Sequence, residues 1–139
     1  MKSESEIRQY IQRWLTGLKL GPVFQDRKVL DDTTKLRDIR TYIFFDLPEG
    51  LVDNGPWFSG NCIVHIGARD KSRFVPAEEA LMPAIVKFTR EFERDGHTDT
   101  LDDRKNGISF IDMECTGMMG YGQDDHEYQF IFEIYAEKG

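Results

Sequence analysis

Basic residues are in the minority in this chain: 18 Lys and Arg stand against 25 Asp and Glu, giving a formal net charge of −7 and a pI near 4.9. That balance weighs against a nucleic-acid grip, because phosphate backbones select for Lys and Arg. No run of like charge is long enough to form a charged tail. Cysteine is scarce. Cys62 and Cys115 both fall in apolar segments, so two buried thiols in a reducing compartment are expected, with a single bridge left open as the alternative. No stretch approaches the ~20 apolar residues of a membrane-spanning helix, and "MKSESEIRQYIQRW" lacks the apolar centre of a signal peptide. These absences lead to the expectation of a soluble, cytoplasmic, globular protein.

Catalytic signatures are missing too. No Ser sits in G-x-S-x-G, and neither C-x-x-C nor H-E-x-x-H occurs. "GMMGYG" leads into a strand and not into the helix N-terminus that would hold a phosphate. No cofactor and no metal are expected. The nearest approach to a metal site is the closing cluster Asp124, Asp125, His126 and Glu127, with Asp112 and Glu114 upstream. Neighbouring strand residues point to opposite faces, and the spaced acids of a calcium loop are absent. Turn chemistry explains the acids better. A metal-dependent hydrolase built on Asp112, Glu114, Asp124, Asp125 and His126 is the rival. A second acidic patch, His97, Asp99, Asp102 and Asp103, includes Arg104 and Lys105 and reads as an exposed loop. His65 reads as a hydrogen-bonded structural histidine.

What is present is material for one core: 40% hydrophobic and 12% aromatic residues across 139 positions. A single domain spanning residues 1–139 follows. Ser3 and Glu6 have capping-box spacing, and Ile7, Ile11, Trp14, Leu15 and Leu18 recur at helical spacing, which predicts a helix over about residues 5–17. "VFQDRKVL" reads as a short hairpin or edge strand, "RTYIFFDL" as a strand, and "PEGLVDNGPW" as a turn or long loop. "FSGNCIVHIGAR" reads as a central strand, with Phe58, Cys62, Val64, Ile66 and Ala68 on one face and Asn61, Ile63, His65 and Gly67 on the other. "VPAEEALMPAIVKFTREFERD" predicts a second helix with Pro76 in its first turn, an apolar stripe of Leu81, Ile85, Phe88 and Phe92, and a kink at Pro83. Residues 96–107 form a polar loop. "ISFIDMECT" and "HEYQFIFEIYAE" are the last strands, joined by a Gly-rich hairpin connection, "GMMGYGQDD". The order α-β-β-β-α-β-β predicts an α+β domain, a mainly antiparallel sheet of about five strands with two helices packed on one face.

Contact residues are sought where Met, aromatics and long polar loops cluster. The candidates are Leu51, Val52 and Trp57 on one connection, Asp102 and Arg104 on the polar loop, and Met118, Met119, Tyr121, Asp124 and Asp125 on the last hairpin.

The succession "SEIRQYIQRWL", "VFQDRKVL", "IRTYIFFDL", "WFSGNCIVHIGAR", a helix with "EEALMPAI" and its internal proline, and a closing "GYGQDDHEYQFIFEIYAE" resembles the tail terminator proteins of long-tailed bacteriophages, the group typified by the lambda minor tail protein U. The resemblance runs over nearly the whole chain. It implies a non-enzymatic phage or prophage virion protein that forms a homo-oligomeric, hexameric ring. Such a ring caps the tail tube protein and meets a head-completion or connector protein, with DNA only passing through its centre and no membrane involved. It would assemble in the host cytoplasm and end in the virion tail. Another head–tail joining or neck subunit, or the tail tube subunit itself, is the alternative within the same class.

Overall fold

The computed structural model describes residues 3–24, 26–34, 41–69, 77–93, 100–121 and 125–138. Along the chain run α1 (Glu4–Gly17), β1 (Val23–Phe24), α2 (Arg27–Thr34), β2 (Thr41–Asp46), β3 (Val52–Asn54), β4 (Trp57–Arg69), α3 (Ala77–Glu91), β5 (Leu101–Asp103), β6 (Ile108–Tyr121) and β7 (Asp125–Glu137). The strands form one sheet in the order β1-β2-β4-β7-β6-β5, with β3 pairing β4. Only the β1–β2 pairing is parallel. The domain is therefore α+β, with seven strands and three helices described where about five and two were expected.

The first face of the sheet carries α1 and α3. Ser3 Oγ accepts the Glu6 N–H at 3.2 Å and starts α1, as the capping spacing predicts. Ile7, Ile11 and Leu15 then bury one stripe beside Leu81 and Phe88 of α3, Phe92 just after it, and Ile43, Val64, Phe130 and Phe132 of the sheet. Trp14 is the hub, with its ring centroid 4.9 Å from that of Phe110, 5.6 Å from Phe88 and 6.0 Å from Phe92. Pro83 lies inside α3 as expected, whereas Pro76 falls outside the described residues.

Four sequence expectations need correction. "VFQDRKVL" is an edge strand only at Val23–Phe24 and no hairpin: Asp26 Oδ1 accepts the Val29 N–H at 2.8 Å, the bond an N-cap makes, and α2 follows at once. Leu30 on α2 is buried with Tyr42 and Phe44 on the second face of the sheet, so one helix lies opposite the other two. The connection "PEGLVDNGPW" contains β3, because Gly55 at φ 78° closes a tight hairpin in which Asn54 pairs with Trp57. The loop at residues 96–107 contains β5, held by a turn in which Asp103 Oδ1 accepts the Asn106 N–H at 3.2 Å. His97 and Asp99 lie outside the described residues.

The last hairpin is longer than the alternation suggests. β6 runs on to Tyr121, so Met118, Met119 and Tyr121 belong to a strand and not to its connection, while Asp124 lies outside the described residues. Two register shifts hide this continuity, each placing two residues of β6 against one of β7. Asp112 at φ 56° and Gly117 at φ 79° sit in them, as bulges require. The expectation of two buried thiols is also overturned: Cys62 is buried, Cys115 is exposed, and both are free.

Candidate functional site

The second face of the sheet is built on one row of three strands. Tyr42 on β2, Gly67 on β4 and Glu127 on β7 are register partners in sequence, Tyr42 with Gly67 and Gly67 with Glu127. Strands about 4.8 Å apart would normally put a side chain between Tyr42 and Glu127. Glycine leaves that place empty. A Cβ on Gly67 would lie 2.3 Å from the Tyr42 ring, so the ring crosses the gap and its hydroxyl donates to Glu127 Oε2 at 2.6 Å.

Glu127 is fully buried, with 0% exposure. It accepts two hydrogen bonds from Arg27 on α2, at 2.9 and 3.0 Å, and one from Gln129 Nε2 at 3.1 Å. His65 lies beside it, with Nδ1 at 2.8 Å from Glu127 Oε1 and Nε2 at 2.8 Å from Asp46 Oδ2. Burial pushes the Glu127 carboxyl upward, but the bonds from His65, Tyr42 and Gln129 outweigh that and bring it down to about 2. Burial pulls the His65 imidazole downward, and its bonds to Asp46 and Glu127 leave it above its ordinary value. An ionised carboxylate only accepts, and a histidine that donates to carboxylates from both nitrogens is an imidazolium, the form that the raised His65 value favours. Phe44 stacks on it with centroids 4.0 Å apart, and Arg27 lies 4.7 Å above the Phe44 ring.

This cluster ties α2, β2, β4 and β7 together. The sequence reading anticipated a hydrogen-bonded His65 and missed its partners. The usable signal was a buried-strand glycine in register with a tyrosine and a glutamate, and that register is invisible before folding.

Of the acids named as a possible metal site, Glu114 and Asp125 lie far apart along the sheet, and Asp124 is outside the described residues. Glu114 pairs with Ile131, six positions along β7 from Asp125, a separation of about 20 Å at the rise of a strand. Among the described residues no group of three or more His, Cys, Asp or Glu side chains could hold a metal ion. Asp102 accepts from Ser109 Oγ at 2.7 Å and from Arg104 Nε at 3.1 Å, so this candidate pair is engaged locally. Asp103 binds the Tyr10 hydroxyl at 2.5 Å and fastens α1 to β5.

Two other surfaces stand out. A cleft of about 470 Å³ lies beside α1, lined by Arg8, Gln9, Gln12 and Arg13 with Asp26 and Phe45 opposite. The sheet margins are the second. β5 covers β6 only at residues 108–110, so the outer edge of β6 over residues 111–121 has no pairing strand among the described residues. On the opposite margin β3 leaves Val52 54% and Trp57 39% exposed, while Leu51 is partly buried against the core.

Compared with protein-family models, curated proteins and solved structures, the chain has no significant match in any of the three.

Proposed function

We propose that the protein is a structural virion subunit, a tail terminator that closes into a hexameric ring, caps the tail tube and joins it to the head connector. The observation that supports this reading is the pair of unlike open margins on one sheet, the long outer edge of β6 and the β3 hairpin with Val52 and Trp57. A ring needs a head-to-tail contact between two different patches of the same chain. The acidic balance suits a ring through which DNA only passes, since acids offer its phosphates no grip.

The polar cluster under α2 belongs to the fold in this reading. Both nitrogens of His65 are bonded to carboxylates, so neither has a lone pair to take a substrate proton. Assembly takes place in the host cytoplasm and the product stays in the virion tail.

Native mass spectrometry across a concentration series tests the reading. The expected species is a closed hexamer that Trp57→Glu shifts to monomer while its circular dichroism stays unchanged. Open-ended tubes would assign the chain to the tail tube instead. A strict monomer, or a two-fold dimer, at every concentration would sink the ring.

A further inference from the structure

We propose that the acidic bulge of β6, Asp112 with Glu114, seats in the α1 cleft of the next copy against Arg8 and Arg13. The inference rests on the ring reading and names the two surfaces that meet.

The geometry begins with α1, which lies across the first face and shows different sides to the two margins. Tyr10 reaches Asp103 on β5, whereas Gln12 Nε2 reaches the Val23 carbonyl on β1 at 3.5 Å. The cleft is on the latter side, since Phe45 of β2 and Asp26 at the start of α2 form its far wall. It therefore opens at the β1–β2 margin. Asp112 and Glu114 lie on the outer strand of the other margin, beyond the reach of β5. A contact between these two places is head-to-tail by construction.

The charges are complementary. Among the described residues Arg8 is held only by Glu4, one helical turn away at 3.2 Å with both side chains more than two-fifths exposed, a pairing too weak to compete with a new partner. The Arg13 side chain has no hydrogen bond or ion pair among the described residues, and neither do the side chains of Asp112 and Glu114. Met113 between the two acids packs toward the core of the first face, whereas Asp112 and Glu114 are both exposed. The left-handed backbone at Asp112, φ 56°, belongs to a bulge, a device that re-aims a side chain and discourages simple edge-to-edge pairing. With plain strand addition disfavoured there, a side-chain contact is the better use of this edge. In an acid-rich chain, the two arginines outnumber the single acid, Asp26, in the lining of this cleft.

Charge reversal decides the matter on the full chain. Arg8→Glu with Arg13→Glu, and separately Asp112→Lys with Glu114→Lys, are each expected to lower the oligomer fraction in native mass spectrometry at least tenfold. Mixing the two doubly substituted proteins should restore assembly as far as one reversed contact per pair allows, and combining all four substitutions in one chain should restore it fully. Raising salt from 50 mM to 500 mM should weaken the wild-type oligomer. A wild type that never oligomerises overturns the ring reading itself. A wild type that oligomerises while both reversals assemble normally overturns only this contact, as does a four-fold variant that stays monomeric although its circular dichroism matches wild type.

Discussion

Phe132 and Glu127 lie five positions apart on β7 and face opposite sides of the sheet. Around Phe132 the first face is held by area: two helices, a cluster of rings about Trp14, and no charge in the core cluster. Around Glu127 the second face is held by matched charge, with Arg27 and His65 against Asp46 and Glu127. Hydrophobic contact is indifferent to direction and tolerates some rearrangement. A buried carboxylate is not so forgiving, because each lost donor leaves charge without a partner in a dry place. The same sheet thus carries one robust face and one exacting face.

The largest expected effect falls on the robust face. Phe132→Ala should destabilise the domain by about 3–5 kcal/mol, the range for removing a buried Phe, and chemical denaturation reads it directly. That cost should be the same at pH 5.5 and pH 8.5. The wild type itself should not behave alike at the two values. His65 holds its proton more tightly when folded than when unfolded. Its contribution is therefore complete below the ordinary histidine value of about 6.5 and is lost as pH rises through the folded value. Equal wild-type stability at both pH values would remove His65 from any part in holding the second face.

That contrast also explains what was legible in the sequence. The first face announces itself through period: Ile7, Ile11 and Leu15 on α1, Leu81, Ile85 and Phe88 on α3, and Phe130, Phe132 and Ile134 on β7 all alternate at the spacing of their element. The cluster on the second face has no period. Arg27, Tyr42, Asp46, His65, Gly67 and Glu127 come from four elements, and only the register of β2, β4 and β7 brings them into one place. α2 was missed for a related reason. Its signals are one capping bond from Asp26 and, among the residues whose burial is described, Leu30, too little to form a stripe. The bulges of β6 broke the alternation that would have carried the strand to Tyr121. The open margins were hardest of all, since an edge is defined by which strand is absent beside it.

Gly67→Ala probes the exacting face with one carbon atom. The added Cβ would stand 2.3 Å from the Tyr42 ring, so the ring must move and its hydroxyl must leave Glu127. Overpacking of this kind costs about 1–3 kcal/mol. A matching addition of one methyl group on the first face, which is held by non-directional contact, should cost less. Crystallography or the Tyr42 ring signals in NMR would report the displacement. If Gly67→Ala proved neutral with Tyr42 still on Glu127, the notch would have no role and the second face would be as tolerant as the first.

The smallest effect lies outside both faces and calibrates them. α1 ends on Leu18, and the next residue, Lys19, takes φ 54°, the left-handed position that follows many helices and that glycine occupies without strain. Lys19→Gly should stabilise the domain, by about 0.5–1 kcal/mol, if relief of strain at that position exceeds the extra freedom glycine gains when unfolded. Lys19 makes only a local backbone bond, N–H to the Thr16 carbonyl at 3.2 Å, and none that reaches the sheet. Its gain should therefore add to the cost of Phe132→Ala and to that of Gly67→Ala within about 0.5 kcal/mol, as distant sites do. Denaturation of the two double variants measures this. Additivity with Phe132→Ala but not with Gly67→Ala would mean that the end of α1 is coupled to the second face, and the division between the two faces would have to be redrawn.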